Sequence, residues 1–180
     1  MNTFESEVWN ELKQMNNVHG FFSWRLFDTK SFFRITRYAP KQPADFCAFW
    51  RGKPYLFELK SQKNEPSFIS SKVMPHQMED MSRSECSGGL TFFLLNRRST
   101  PRNYRCYAIK PTILKDLTKE RKSVRWDVIE KNSIVIPRKG QTWELSALFD
   151  RFPNGCLYMN SNPQPSPRLS PSGSVLHEEP

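Results

Sequence analysis

The stretch from residue 43 to residue 60, Pro-Ala-Asp-Phe-Cys-Ala-Phe-Trp-Arg-Gly-Lys-Pro-Tyr-Leu-Phe-Glu-Leu-Lys, leaves few folds open. An apolar run, Phe46 to Trp50, leads into Arg51-Gly52-Lys53-Pro54, and a second run follows from Tyr55 to Leu59. Two such runs around a Gly/Pro-containing break predict a β-hairpin. Ionisable groups stand where that hairpin should be apolar. Asp45 opens the first run, and Glu58 and Lys60 lie in the second. Strand alternation sends Glu58 and Lys60 to one face and Phe57 and Leu59 to the other. A turn centred near Gly52 sets Asp45 almost opposite Leu59, and a small bend or bulge then brings Asp45 to Glu58. Two carboxylates and one ammonium would share a patch of sheet. Charges are rarely buried without partners or a metal. Two carboxylates with open positions suit a Mg²⁺ ion that keeps waters for a phosphate substrate. The competing reading is a Glu–Lys pair on a solvated strand face. The Pro-Ala-Asp lead-in, the hairpin length and the flanking aromatics weigh against it.

The chain has 180 residues, enough for one compact domain with a real core plus a tail. No apolar stretch reaches membrane-spanning length, and Met-Asn-Thr-Phe-Glu-Ser-Glu does not read as a signal peptide. Cys47, Cys86, Cys106 and Cys156 are widely spaced with no CxxC pairing. They are expected to be reduced residues of a cytoplasmic protein, without a zinc site. The formal net charge of +9 and a pI near 9.6 favour a polyanionic partner, nucleic acid first.

Phe4, Val8, Leu12 and Met15 recur at helical spacing, so residues 3–15 are expected to form a helix capped by Thr3. On it, Glu5 lies beside the apolar stripe in projection. His19 reads as a loop residue rather than a ligand. Strands are expected over 21–27, 90–95, 104–109 and 134–136, with an extended piece over 32–38. Helices are expected from Pro75 and from Pro111, and over 143–149. Residues 61–73 read as a polar loop. Arg34, Arg37 and Lys41 stand among Phe32, Phe33 and Tyr38 just before the hairpin. Such a segment can meet phosphates and stack on bases, or be an ordinary half-buried strand. Lys63 and Lys72 are further candidates for nucleic-acid contact. From about Ser161 the composition turns to proline and serine, which predicts one folded domain over 1–160 and a disordered tail over 161–180.

A helix carboxylate, then Asp, then Glu-x-Lys on a hairpin resembles the restriction-endonuclease-like PD-(D/E)xK nucleases. The match narrows with Asp45-Phe46-x-x-x-Trp50-Arg51-Gly52-Lys53, Phe57-Glu58-x-Lys60, Lys63-Asn64, Ser67-Phe68, His76-Gln77-x-x-x-Met81 and Gly88-Gly89. In order and spacing these resemble the RecU-type Holliday junction resolvases, over roughly residues 3–137. The resemblance implies an α/β, restriction-endonuclease-like core with a central mixed sheet flanked by helices. It implies a homodimer that cleaves four-way DNA junctions with Mg²⁺, for which Mn²⁺ can substitute. By position, Asp45 and Glu58 would be metal ligands and Lys60 the catalytic lysine. Gln77 would be the glutamine that follows the Glu-x-Lys strand. Glu5 would be the helix carboxylate, with Glu7 as the alternative. The family's projection into the junction falls at residues 28–42, which are shorter here and differ in sequence. Two other readings stand beside a junction resolvase: a related nuclease acting on duplex or flap DNA, and a DNA-binding module with a decayed site.

Overall fold

The structure is a computed structural model that describes residues 3–26, 42–99 and 104–152. Six strands form the central sheet: β1 (Phe21–Arg25), β2 (Phe46–Trp50), β3 (Lys53–Lys63), β5 (Leu90–Arg98), β6 (Tyr104–Ile109) and β8 (Ile134–Ile136). Their spatial order is β1-β2-β3-β5-β6-β8. β3 and β5 run parallel, while every other pairing in this sheet is antiparallel. This is the mixed-sheet α/β core that the family resemblance implies. The parallel pair needs a crossover. It is made by β4 (Ser67–Ile69), a 3₁₀ turn (Ser70–Lys72) and α2 (Pro75–Cys86).

Apolar side chains cover both faces. On one face α1 (Thr3–Met15) and α5 (Ser146–Arg151) pack on the sheet through Phe4, Val8, Leu12, Leu148 and Phe149. On the other, Met81 of α2, Leu114 of α3 (Pro111–Thr118) and Ile129 of α4 (Trp126–Lys131) pack against Phe93, Leu95 and Tyr107. α1 forms because Phe4, Val8 and Leu12 line one stripe, with Glu5 in the first turn and Lys13 in the last. Cys47, Cys86 and Cys106 are free thiols, and no described helix is long and apolar enough to cross a membrane.

Two segments differ from expectation. Residues 61–73 are not a plain loop, because β3 continues to Lys63 and β4 pairs antiparallel with β7 (Ser123–Arg125). The cause is Gln62, 3 % exposed. Its amide donates to the Ser67 carbonyl and accepts the Ile69 N–H, standing in for a strand partner. The helix expected over 143–149 starts only at Ser146. Trp143 instead belongs to β10 (Thr142–Trp143), which pairs with β9 (Arg138–Lys139). Its indole N–H donates to Glu7 at 3.0 Å. The four apolar residues of the expected helix, Trp143, Leu145, Leu148 and Phe149, are all buried. Of the segment 28–42, only Gln42 is among the described residues, and the boundary and tail expected at 160–161 lie outside them.

Candidate active site

The central hairpin turns through two residues, not four. Trp50 pairs with Lys53, and the linking Arg51 and Gly52 have φ of 49° and 76°. Positive φ at both positions is the type I′ geometry that matches strand twist, and glycine at the second allows it without strain. Pro54 is tolerated because pairing with β5 begins one residue later, at Tyr55. Centring the turn between residues 51 and 52 corrects the expected register. Phe46 pairs with Phe57, so the ladder carries Asp45 toward Glu58 rather than Leu59. A bend occurs there as well. The Asp45 N–H donates to the Phe57 carbonyl at 2.9 Å, the acceptor that the register assigns to Phe46. The Asp45 carboxylate Oδ2 accepts the Leu59 N–H at 2.8 Å.

Glu58 is 2 % exposed. Its Oε1 accepts from Lys60 Nζ at 2.7 Å and from Gln77 Nε2 at 2.6 Å. Lys60 Nζ also donates to Gln77 Oε1 at 2.9 Å. A closed ring of three side chains results, built from β3 and the first turn of α2. Gln77 is held there by the helix start, since its Oε1 also accepts the Met74 N–H in the manner of a capping glutamine. The interaction therefore follows from where α2 begins, and α2 begins at Pro75.

Burial pushes the Glu58 carboxyl up to about 7, and the charge of Asp45 pushes the same way against Lys60 and Gln77. Burial also raises Asp45, opposed by the Leu59 N–H and reinforced by Glu5. Burial thus disfavours the charged form of both carboxylates, and Lys60 offsets it only in part. Glu5 sits near enough to act on Asp45 and pairs with Arg25 of β1 at 3.8 Å. Glu7 is committed elsewhere, to Arg98 and Arg138 at 3.4 Å each and to Trp143. Of the two helix carboxylates, Glu5 is the one beside the site. Among the described residues, no three His, Cys, Asp or Glu side chains converge closely enough to hold a metal by themselves. The hydrogen bonds described engage Oδ2 of Asp45 and Oε1 of Glu58, leaving the second oxygen of each carboxylate. Two oxygen donors of this kind fit Mg²⁺, which fills the rest of its shell with water and substrate.

Lys63 is exposed at the end of β3, and Lys72 is exposed with its Nζ on the Ser61 carbonyl at 3.3 Å. Arg34, Arg37 and Lys41 lie outside the described residues. Sequence reading missed Arg25 as the partner of Glu5, and Gln62 as the latch of β4. Parity along β3 was the available signal for Gln62, since it follows Glu58 and Lys60 on the same face.

Residues 28–143 match the family described as recombination protein U. The chain belongs to that family. The match spans the hairpin, both carboxylates, Lys60 and Gln77, but not α1 with Glu5. Membership agrees with the resemblance to Holliday junction resolvases carried by the motifs. A solved structure of Archaeoglobus fulgidus Hjc, a Holliday junction resolvase from an archaeal hyperthermophile, is 14 % identical, with 73 % of this chain and 92 % of that chain covered and a TM-score of 0.42. The assignment rests on the family match and not on this likeness. No curated protein matches the chain.

Gln77→Ala is expected to lower turnover about 10- to 100-fold, the usual cost of losing a group that orients a metal ligand. DNA binding should stay within about twofold in the same variant, because Gln77 is bonded to Glu58 and Lys60 rather than placed on the surface. Single-turnover cleavage beside equilibrium binding checks the split.

Proposed function

We propose that this chain is a divalent-metal-dependent endonuclease that nicks four-way DNA junctions and works as a homodimer. The observation that carries the reading is the ring of Glu58, Lys60 and Gln77 set beside Asp45, two buried carboxylates and one ammonium together. Bound between Asp45 and Glu58, Mg²⁺ would polarise the phosphate and make a bound water more acidic. The chain's own residues do the rest. Lys60 presents a fixed ammonium toward the reacting phosphate, where it orients the attacking water and stabilises charge growing on the phosphate oxygens. Gln77 holds Lys60 and Glu58 in one geometry. Glu5 and Arg25 set the charge balance on the far side of Asp45. No serine or cysteine nucleophile is required. Two nicks placed symmetrically across a junction call for two sites related by a two-fold axis, which is the reason for the dimer.

The test compares cleavage of a four-way junction and of its linear duplex arms, with Mg²⁺ and with chelator. Paired nicks in the junction alone, dependent on metal, are expected. Equal cutting of the duplex would transfer the site to a general nuclease of the same superfamily. Sedimentation at micromolar concentration should give a dimer, and a monomer that still cuts both strands in one encounter would remove that part of the reading. Arg34→Ala with Arg37→Ala should cost junction affinity more than duplex affinity, and equal losses would make the segment a plain basic stretch.

A further inference from the structure

Arg97 lies on β5 in register with Gln62 of β3, two residues beyond the Lys60–Leu95 pair. Residues two apart on a strand share a face and are about 7 Å apart. Arg97 therefore belongs to the face of the sheet that carries Glu58 and Lys60. Its guanidinium carbon is 5.9 Å from the centre of the Trp126 ring. That ring is a fixed plate. Trp126 is 2 % exposed, stacks on Tyr107 at 5.8 Å and 25°, and donates its indole N–H to the Glu65 carbonyl at 3.0 Å.

Two neighbouring arginines are paired. Arg98, on the opposite face, bonds Asn96 and Glu7, and Arg105 meets Glu130 at 3.0 Å. Arg97 differs. Its Nε is buried without a hydrogen-bond partner, and among the described residues it forms no ion pair. A buried donor without an acceptor costs stability. Nε itself is closed to solvent, but Arg97 as a whole is partly exposed, so an oxyanion from outside can meet the terminal nitrogens of a guanidinium whose inner edge is held over an indole. Lys63 and Lys72, both exposed, stand near the same end of β3.

We propose that Arg97, held over the Trp126 ring, binds a DNA backbone phosphate next to the one that faces Lys60. The inference rests on the nuclease reading above and adds a second phosphate subsite to it. Arg97 would thereby fix how far the cut strand advances across the sheet. It is a positioning residue, because it touches DNA away from the reacting atoms.

The experiment uses the full chain, a junction in buffer with chelator, and Arg97→Gln and Arg97→Lys variants. Arg97→Gln should bind about tenfold more weakly, as expected for one lost charge-assisted contact. Its slope of log affinity against log salt should fall by about 0.9, the share of one phosphate. Arg97→Lys should keep the slope and lose part of the affinity. A single neutral methylphosphonate is then walked along the cut strand. One position beside the scissile phosphate should weaken wild type but leave Arg97→Gln unchanged. Additive losses at every position, or an unchanged salt slope in Arg97→Gln, would overturn the proposal while wild-type binding left the nuclease reading intact. A wild-type protein that binds neither junction nor duplex would overturn both. Since a folding defect would lower affinity without changing the phosphate pattern, the methylphosphonate walk decides the case even if Arg97→Gln is less stable.

Discussion

Asp45→Asn and Glu58→Gln should each slow junction cleavage in Mg²⁺ by about 10²- to 10³-fold, the range seen when a main electrostatic element of a transition state is removed. Both changes keep shape and hydrogen-bonding atoms while removing the negative charge that would draw in a divalent cation. The Leu59 N–H can still bond an oxygen at position 45, and Lys60 and Gln77 can still bond one at position 58. The fold and the surface seen by DNA are therefore preserved. Junction binding in chelator should hold or tighten, because a carboxylate repels phosphate. Single-turnover rates beside binding isotherms give both numbers at once. Wild-type cleavage by either variant would place the chemistry elsewhere in the chain.

The second large effect is on stability. With Glu58 raised from 4.5 to about 7 in the fold, the folded state holds a proton that the unfolded chain releases between those values. The sign follows directly. Stability from this group is fully present below about pH 4.5 and is lost as pH rises through 7. The shift corresponds to roughly 3 kcal/mol at full extent. Because Glu58 is 2 % exposed, solvent screening takes little from it. In metal-free buffer, Glu58→Gln should match wild type near pH 4.5 and exceed it increasingly toward pH 7.5. Taking the difference between the two proteins cancels the titrating groups that do not interact with Glu58 and leaves Glu58 with its neighbour Asp45. Adding Mg²⁺ at pH 7.5 should raise the melting temperature of wild type and leave Glu58→Gln almost unmoved. Parallel pH profiles for the two proteins would show that Glu58 carries its charge in the fold at no cost.

Much of the site was legible in residues 43–60 because strand periodicity is local. Glu58 and Lys60 must share a face whatever lies around them, and a Gly-containing break between apolar runs must turn. The one error there, a turn centred on Gly52 rather than between Arg51 and Gly52, moved Asp45 by a single position. It came from counting Lys53 in the turn when backbone pairing makes it strand. Burial was legible in the same way at Trp143 and Leu145, although the element was not. A Trp and a Leu two apart can serve a strand leading into a helix as well as a helix.

The sequence by itself determined that an Asp, a Glu and a Lys would meet at a hairpin in a basic chain. It also determined where most strands and α2 would begin. Only the tertiary structure placed Glu5, and not Glu7, near Asp45, although both sit within one turn of α1. Glu7 is taken by Arg98, Arg138 and Trp143, residues more than ninety positions away, while Glu5 is left beside Arg25 and Asp45. Only the parallel register of β3 with β5 put Arg97 next to Gln62, and only the docking of α2 brought Gln77 onto Lys60. Periodicity within an element is written in neighbouring residues. Register and docking between elements are set by how distant apolar faces pack, and no short window of sequence contains both partners.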